Sequence, residues 1–183
     1  MQRDPLRRIV LSALALAVVA GCATTHAPLV APVVPDAIRA PATDVVAFAL
    51  RAEGFQIYEC RAKKDDPTRF EWAFVEPEAT LLDDAGRAVG RHGAGPAWES
   101  DDGSKVVGEV RAKADAPDPD AVPWLLLAGK SHEGDGVFAR VTSIQRVATS
   151  GGKAPTDGCD AAGVGRRVRV PYRATYWFYA PRE

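Results

Sequence analysis

Between positions 167 and 179 the chain alternates almost without a break. Val168, Val170, Tyr172, Ala174, Tyr176 and Phe178 fall on one parity, and Arg167, Arg169, Arg173, Thr175, Trp177 and Tyr179 on the other. Successive side chains of a strand point to opposite faces, so the run reads as one long β-strand with an apolar side. A strand of that length must bend or twist, and Pro171, which cannot donate to a ladder, marks a bulge or an exposed edge. The same period recurs upstream. Phe55, Ile57 and Glu59 alternate with Gln56, Tyr58 and Cys60, and Phe70, Trp72 and Phe74 alternate with Glu71, Ala73 and Val75.

Turn chemistry separates these runs. Residues 63–68 carry Asp66 before Pro67, and residues 83–86 end on Gly86. Residues 105–113 supply a return strand, 123–128 an apolar run fit for a strand covered on both faces, and 137–148 another strand. Residues 114–122, with Pro117 and Pro119, form the longest plain loop. Residues 44–51 leave open a turn or two of helix against an edge strand. Seven to nine strands with hardly any helix imply an all-β fold. The expectation is a single-domain antiparallel β-sandwich or barrel with long loops and at most a short helix.

The start of the chain is of another kind. Arg3, Arg7 and Arg8 precede an apolar run from Ile9 to Ala20, which is too short to span a bilayer but suits the core of an export signal. Val19, Ala20 and Gly21 before Cys22 resemble a bacterial lipobox. The resemblance implies a lipoprotein signal peptide over 1–21, lipid on Cys22 and a membrane partner reached through that lipid. Ala23, in place of aspartate, resembles the outer-membrane-directed case, so a cell-envelope location facing the periplasm is expected. Residues 22–43, rich in Ala and Pro, read as an extended tether, and residues 44–183 as the β domain.

Export bears on the other two cysteines. In an oxidising compartment Cys60 and Cys159 are expected to form a disulfide closing a loop of about 100 residues. A thiolate metal site would need further cysteines or a neighbouring histidine. The whole chain holds 23 Lys+Arg and 24 Asp+Glu; losing residues 1–21, with three arginines and one aspartate, leaves a net charge of −3. That balance excludes a typical nucleic-acid binder, and Arg166, Arg167 and Arg169 read as strand flanks.

Residues 90–108 look like a displayed loop entering a hairpin. Gly90, Gly93 and Gly95 surround His92, followed by Pro96, Trp98, Glu99 and the turn Asp101, Asp102, Gly103, Ser104. On this reading Trp98 either stacks on a sugar or protein partner or anchors the loop, whereas Trp124 belongs to the core. Of Gln145 and Arg146, neighbours on one strand, one points into a cleft or into water.

A set of motifs in fixed order then resembles one family, the domain of unknown function 3455. They are Gln56-Ile57-Tyr58-x-Cys60, Pro77-x-Ala79-x-Leu81, His92-x-x-Gly95-Pro96-x-Trp98-Glu99, Gly103-Ser104 and Pro123-Trp124-Leu125-Leu126. Ile144-Gln145-Arg146-Val147, Gly151-Gly152, Cys159 and Pro171-Tyr172-x-Ala174-x-Tyr176-x-Phe178-Tyr179 complete the set. Gly93 stands where that family usually shows an aromatic. Some fungal members bear the name malate dehydrogenase, yet Gly163-Val164-Gly165 lacks the third glycine of a dinucleotide fingerprint, and Gly90, Gly93 and Gly95 run into Pro96 instead of opening a helix. Tyr58-x-Cys60 and Cys159 also resemble the outline of periplasmic lysozyme inhibitors.

The expected function is therefore an envelope binding module. Its candidate binding residues are His92, Gly95, Trp98, Glu99, Ser104 and Arg146, and its ligand an envelope glycan or protein. A hydrolase or metal-dependent enzyme using His92 and Glu99 is one alternative; a lysozyme-inhibitor-like or envelope assembly protein is another. No cofactor, catalytic set or metal-ligand set is expected.

Overall fold

The computed structural model describes residues 29–182. The expected signal peptide and the lipid-bearing Cys22 lie outside the described residues. Eight strands follow in chain order: β1 (Asp44–Ala62), β2 (Phe70–Leu82), β3 (Ala88–Gly93), β4 (Ala97–Ser100), β5 (Lys105–Ala114), β6 (Trp124–Glu133), β7 (Ser143–Gly151) and β8 (Arg167–Pro181). Each runs antiparallel to the next, and β8 returns to pair with β1, so the sheet closes on itself. Of the two expected architectures the chain adopts the barrel, in its up-and-down form. The helices among the described residues are single 3₁₀ turns at Asp36–Ile38 and Ala161–Gly163.

The alternation in β8 decides which side chains fill the barrel. Tyr172, Ala174, Tyr176 and Phe178 are buried, while Arg167, Arg169 and Arg173 are exposed. The break expected at Pro171 falls in its neighbour, where β7 shifts register against β8 between Val147 and Ser150 and Ala148 takes a positive φ. Residues 44–51 are neither helix nor edge. They form the first half of β1, and Asp44 through Glu59 pair with β8.

The barrel is filled unevenly. At one end Phe48 stacks on Phe178 with ring centroids 4.8 Å apart, and Phe138 lies 5.0 Å from Phe178. Phe138 does not come from a strand. The strand expected over 137–148 begins only at Ser143, and the turn before it folds over this end, burying Phe138 and Val141. Ser104 and Asp102 hold it there: Phe138 donates its N–H to Ser104 Oγ (3.1 Å) and Val137 to Asp102 Oδ2 (2.8 Å). The Ser104 hydroxyl and the backbone donors of Val137 and Ser104 keep the Asp102 carboxyl low, at about 2.

The body also extends further towards the N-terminus than expected. Within the stretch read as tether, Ile38 is fully buried, and the segment around it lies against β5 and β6. Gln145 Nε2 donates to the Ile38 carbonyl (2.6 Å), and Tyr179 OH donates to Gln145 Oε1. Asp44 finishes the attachment by accepting from Thr142 Oγ1 (2.7 Å) and Ser143 Oγ (2.8 Å). A buried amide with both ends bonded explains why Gln145 points outward under this strap while Arg146, one residue on, points inward.

Cys60 and Cys159 form the expected disulfide, joining the end of β1 to the connection between β7 and β8. Tyr58 and Trp72 pack with Cys60 in a second, smaller core, where Trp72 Nε1 donates to the Asp157 carbonyl (2.7 Å).

Candidate functional site

Residues 90–108 are wall, not arm. They form β3, β4 and the start of β5, with His92 opposite Trp98 and Trp98 opposite Val106. Alternation sends these side chains into the barrel, where His92 is 3% exposed and Trp98 0%. The expectation of a displayed loop is thereby corrected. Gly95 and Gly103 do serve turns, with φ of 124° and 85°. Gly108 instead makes room for the indole: a Cβ there would meet Trp98 Cζ3 at 2.8 Å and Leu127 Cδ2 at 3.2 Å.

The two tryptophans depart from the roles expected of them. Trp98 is the centre of the core, stacked on His92 at 4.5 Å and edge-on to Tyr176 at 5.2 Å. It is therefore closed to stacking on an outside partner. Trp124 is half-buried on β6, a strand whose fully buried residue is Leu127, so the run 123–128 is not covered on both faces.

Beyond this aromatic layer, towards the end away from Phe138, lies a cavity of about 150 Å³. Its lining includes His92, Gly95, Trp98 and Arg146 of the expected site, together with Gln56, Tyr176, Phe74 and Val110. Phe74 and Val110 are 52% and 51% exposed and form the mouth. A wider hollow on the outer wall is lined by charges such as Glu78, Arg91 and Arg169. There Arg169 pairs with Glu78 (2.8 Å) and Arg91 with Glu99 (2.7 Å), so both arginines of that surface already have carboxylate partners.

Two of the six expected residues stand elsewhere. Glu99 follows Trp98 on the strand and so faces outward, bonded to Arg91 across the β3–β4 ladder. His92 and Glu99 therefore lie on opposite faces of the wall, and the acid–base pair expected for an enzyme does not converge. Ser104 is fully buried and occupied by Asp102 and the Phe138 N–H, which makes it a structural turn residue. Among the described residues no three His, Cys, Asp or Glu side chains are grouped as metal ligands.

The polar chemistry of the cavity leans towards donors. His92 bonds through Nδ1 to the Ala97 carbonyl (2.8 Å); a carbonyl only accepts, so Nδ1 carries the proton and Nε2 is an acceptor. Burial, reinforced by the nearby Arg146 charge and opposed by the Ala97 bond, lowers the His92 pKa to about 3, which keeps the ring uncharged. Burial likewise raises the Tyr172 and Tyr176 hydroxyls, while the Arg146 charge lowers both. Gln56 is 2% exposed; its amide leans on the Tyr172 hydroxyl and lowers that hydroxyl's pKa, but no hydrogen bond of full geometry reaches its Nε2. Trp98 Nε1 is also without one. A buried donor left unpaired costs about 1–3 kcal/mol, so two in one cavity are a concentrated expense.

Gln56 and Tyr176 were not among the expected site residues. The signal for Gln56 was available: it is an amide on the parity of Ala52, Gly54 and Tyr58, with inward-facing neighbours that are small or aromatic.

A family model described as Protein of unknown function (DUF3455) matches residues 41–180. No curated protein and no solved structure matches the chain.

Proposed function

The chain belongs to the family described as Protein of unknown function (DUF3455), and from that premise we propose that it is a lipid-anchored envelope protein that works as a binding module, receiving its ligand at the open end of its barrel. One observation carries the reading. His92, Trp98, Gln56 and Arg146 surround a cavity whose mouth is apolar and exposed, and two of its buried donors have no acceptor. Eight strands is the size at which a barrel either fills with side chains or holds one small ligand. This barrel does the first at its Phe138 end and leaves room for the second at the other. The ligand is small, and it meets the inner face of β3 and β4, not a loop reaching out to a glycan or protein.

The envelope part of the proposal rests on the lipobox-like sequence before Cys22. Metabolic labelling with a tagged fatty acid tests it: the wild type takes up label and partitions with outer membranes, and Cys22→Ala does neither. An unlabelled wild type overturns the anchor. The binding part is tested by ligand-observed NMR with a small-molecule fragment library on the full-length protein in detergent. Hits are expected that Val110→Trp, which plugs the mouth, removes. Hits indifferent to that change would place binding outside the cavity and overturn the reading.

A further inference from the structure

We infer that the cavity is built for a small organic monoanion, a carboxylate on an apolar ring or short chain; the inference rests on the binding reading above. Arg146 is the single charged residue of the lining, and neither Asp nor Glu contributes to it. It lies inside the barrel wall, half-buried, opposite Tyr176. Its Nε and Nη2 both donate to the Pro123 carbonyl, at 3.1 and 2.8 Å. That bond aims the guanidinium and leaves the charge uncompensated, since a carbonyl is neutral and Arg146 has no carboxylate partner among the described residues. The Tyr176 hydroxyl also lies against the guanidinium, which lowers its pKa; of the five N–H donors, those used on neither Pro123 nor Tyr176 suit a two-oxygen acceptor.

Among the neutral groups two ask for the same partner, whereas His92 offers an acceptor at Nε2. Gln56 Nε2 and Trp98 Nε1 are donors, both buried and both unpartnered. A carboxylate accepts only, with room for several donors on its two oxygens, and so answers Arg146, Gln56 and Trp98 together. His92 adds no second positive charge, because burial between Trp98 and Tyr176 keeps its ring neutral, and this favours a monoanion over a dianion. The rest of the ligand is set by the walls. A space of about 150 Å³ is worth about five water molecules, the scale of one ring or a short chain. Leu125 and Pro77 line it and Phe74 and Val110 flank the way out, so an apolar body is covered on its way to solvent.

The test is calorimetric titration of the full-length protein in detergent with three probes of one shape: benzoate, benzamide and benzylammonium. Benzoate is expected to bind at one site, with benzamide weaker by about tenfold or more and benzylammonium not detectable. Arg146→Met should bring benzoate down to the level of benzamide, and Val110→Trp should weaken both. Should Arg146→Met fail to fold, the ratio of benzoate to benzamide on the wild type and the Val110→Trp effect carry the test. Benzamide or benzylammonium binding as tightly as benzoate, and still blocked by Val110→Trp, overturns the anion inference and leaves the cavity reading standing. Absence of binding by all three probes, or binding that ignores Val110→Trp, overturns the inference and withdraws support from the cavity reading as well.

Discussion

Acidification should destabilise this protein through one ring. In the unfolded chain a histidine titrates near 6.5, but His92 is enclosed between Trp98 and Tyr176 and its pKa falls to about 3. Between those values the unfolded state holds a proton that the native state refuses, so stability rises with pH across the interval and is lost as pH falls. The slope is about 1.4 kcal/mol per pH unit, and integrating from pH 7 to 4.5 gives a loss of about 2.5 kcal/mol. For a domain whose total stability is about 5–15 kcal/mol, that is a large share. The assay is urea unfolding of the oxidised protein at pH 7, 6, 5 and 4.5, for the wild type and for His92→Gln, which keeps a donor for the Ala97 carbonyl and cannot be protonated. The wild-type advantage at pH 7 is expected to shrink by about 2.5 kcal/mol at pH 4.5. Carboxylates such as Asp102 titrate below this window and are common to both proteins, so they cancel in the difference. A gap between the two proteins that stays constant from pH 7 to 4.5 would refute the placement of a neutral His92 in the core.

Gly108 should not tolerate even one methyl group. Gly108→Ala drives a Cβ to within 2.8 Å of Trp98 and is expected to cost about 1–3 kcal/mol, whereas Gly93→Ala, with nothing within 4 Å, should stay within about 0.5 kcal/mol of wild type in the same urea titration. Equal effects at the two positions would deny that Gly108 makes room for the indole. Removing the disulfide as the pair Cys60→Ser and Cys159→Ser should lower stability by about 2–4 kcal/mol without changing the far-ultraviolet circular dichroism of the sheet; an unchanged urea midpoint would argue against its contribution.

Much of the wall is legible from residue parity alone. In β8 every second residue from Tyr172 to Phe178 is buried, as the alternation requires, and the pairing of Cys60 with Cys159 follows from expecting an oxidising compartment. The choice of barrel over sandwich is not local information, since it depends on β1 meeting β8 from the far end of the domain. The glycines of 90–108 mislead for a physical reason. Glycine signals flexibility in a turn and close approach in a wall, and only the partner strand tells the two apart. Gly90 would place a Cβ against the Glu99 carbonyl, and Gly108 against Trp98. Residues 137–141 deceive in a similar way: Phe138 and Val141 are buried, but in turns across the barrel end, and backbone pairing with the neighbouring strands resumes only at Thr142. Of the site, four of the six expected residues reach the cavity, although His92, Gly95 and Trp98 were expected on a displayed loop and arrive there as part of the wall and its turn; Glu99 and Ser104 miss it, because the parity of β4 and the turn after it sends them elsewhere.

The seam between β1 and β8 has a bearing on biogenesis. Half of the first strand's ladder is supplied by the last, so a chain threaded out N-terminus first has no means of sealing its sheet until the far end arrives. Until then β1 presents an unsatisfied edge to its surroundings, the kind of template that invites pairing with a neighbour. Such a molecule has reason to depend on prompt delivery of its closing strand, and a copy shortened there would be sticky instead of merely weaker.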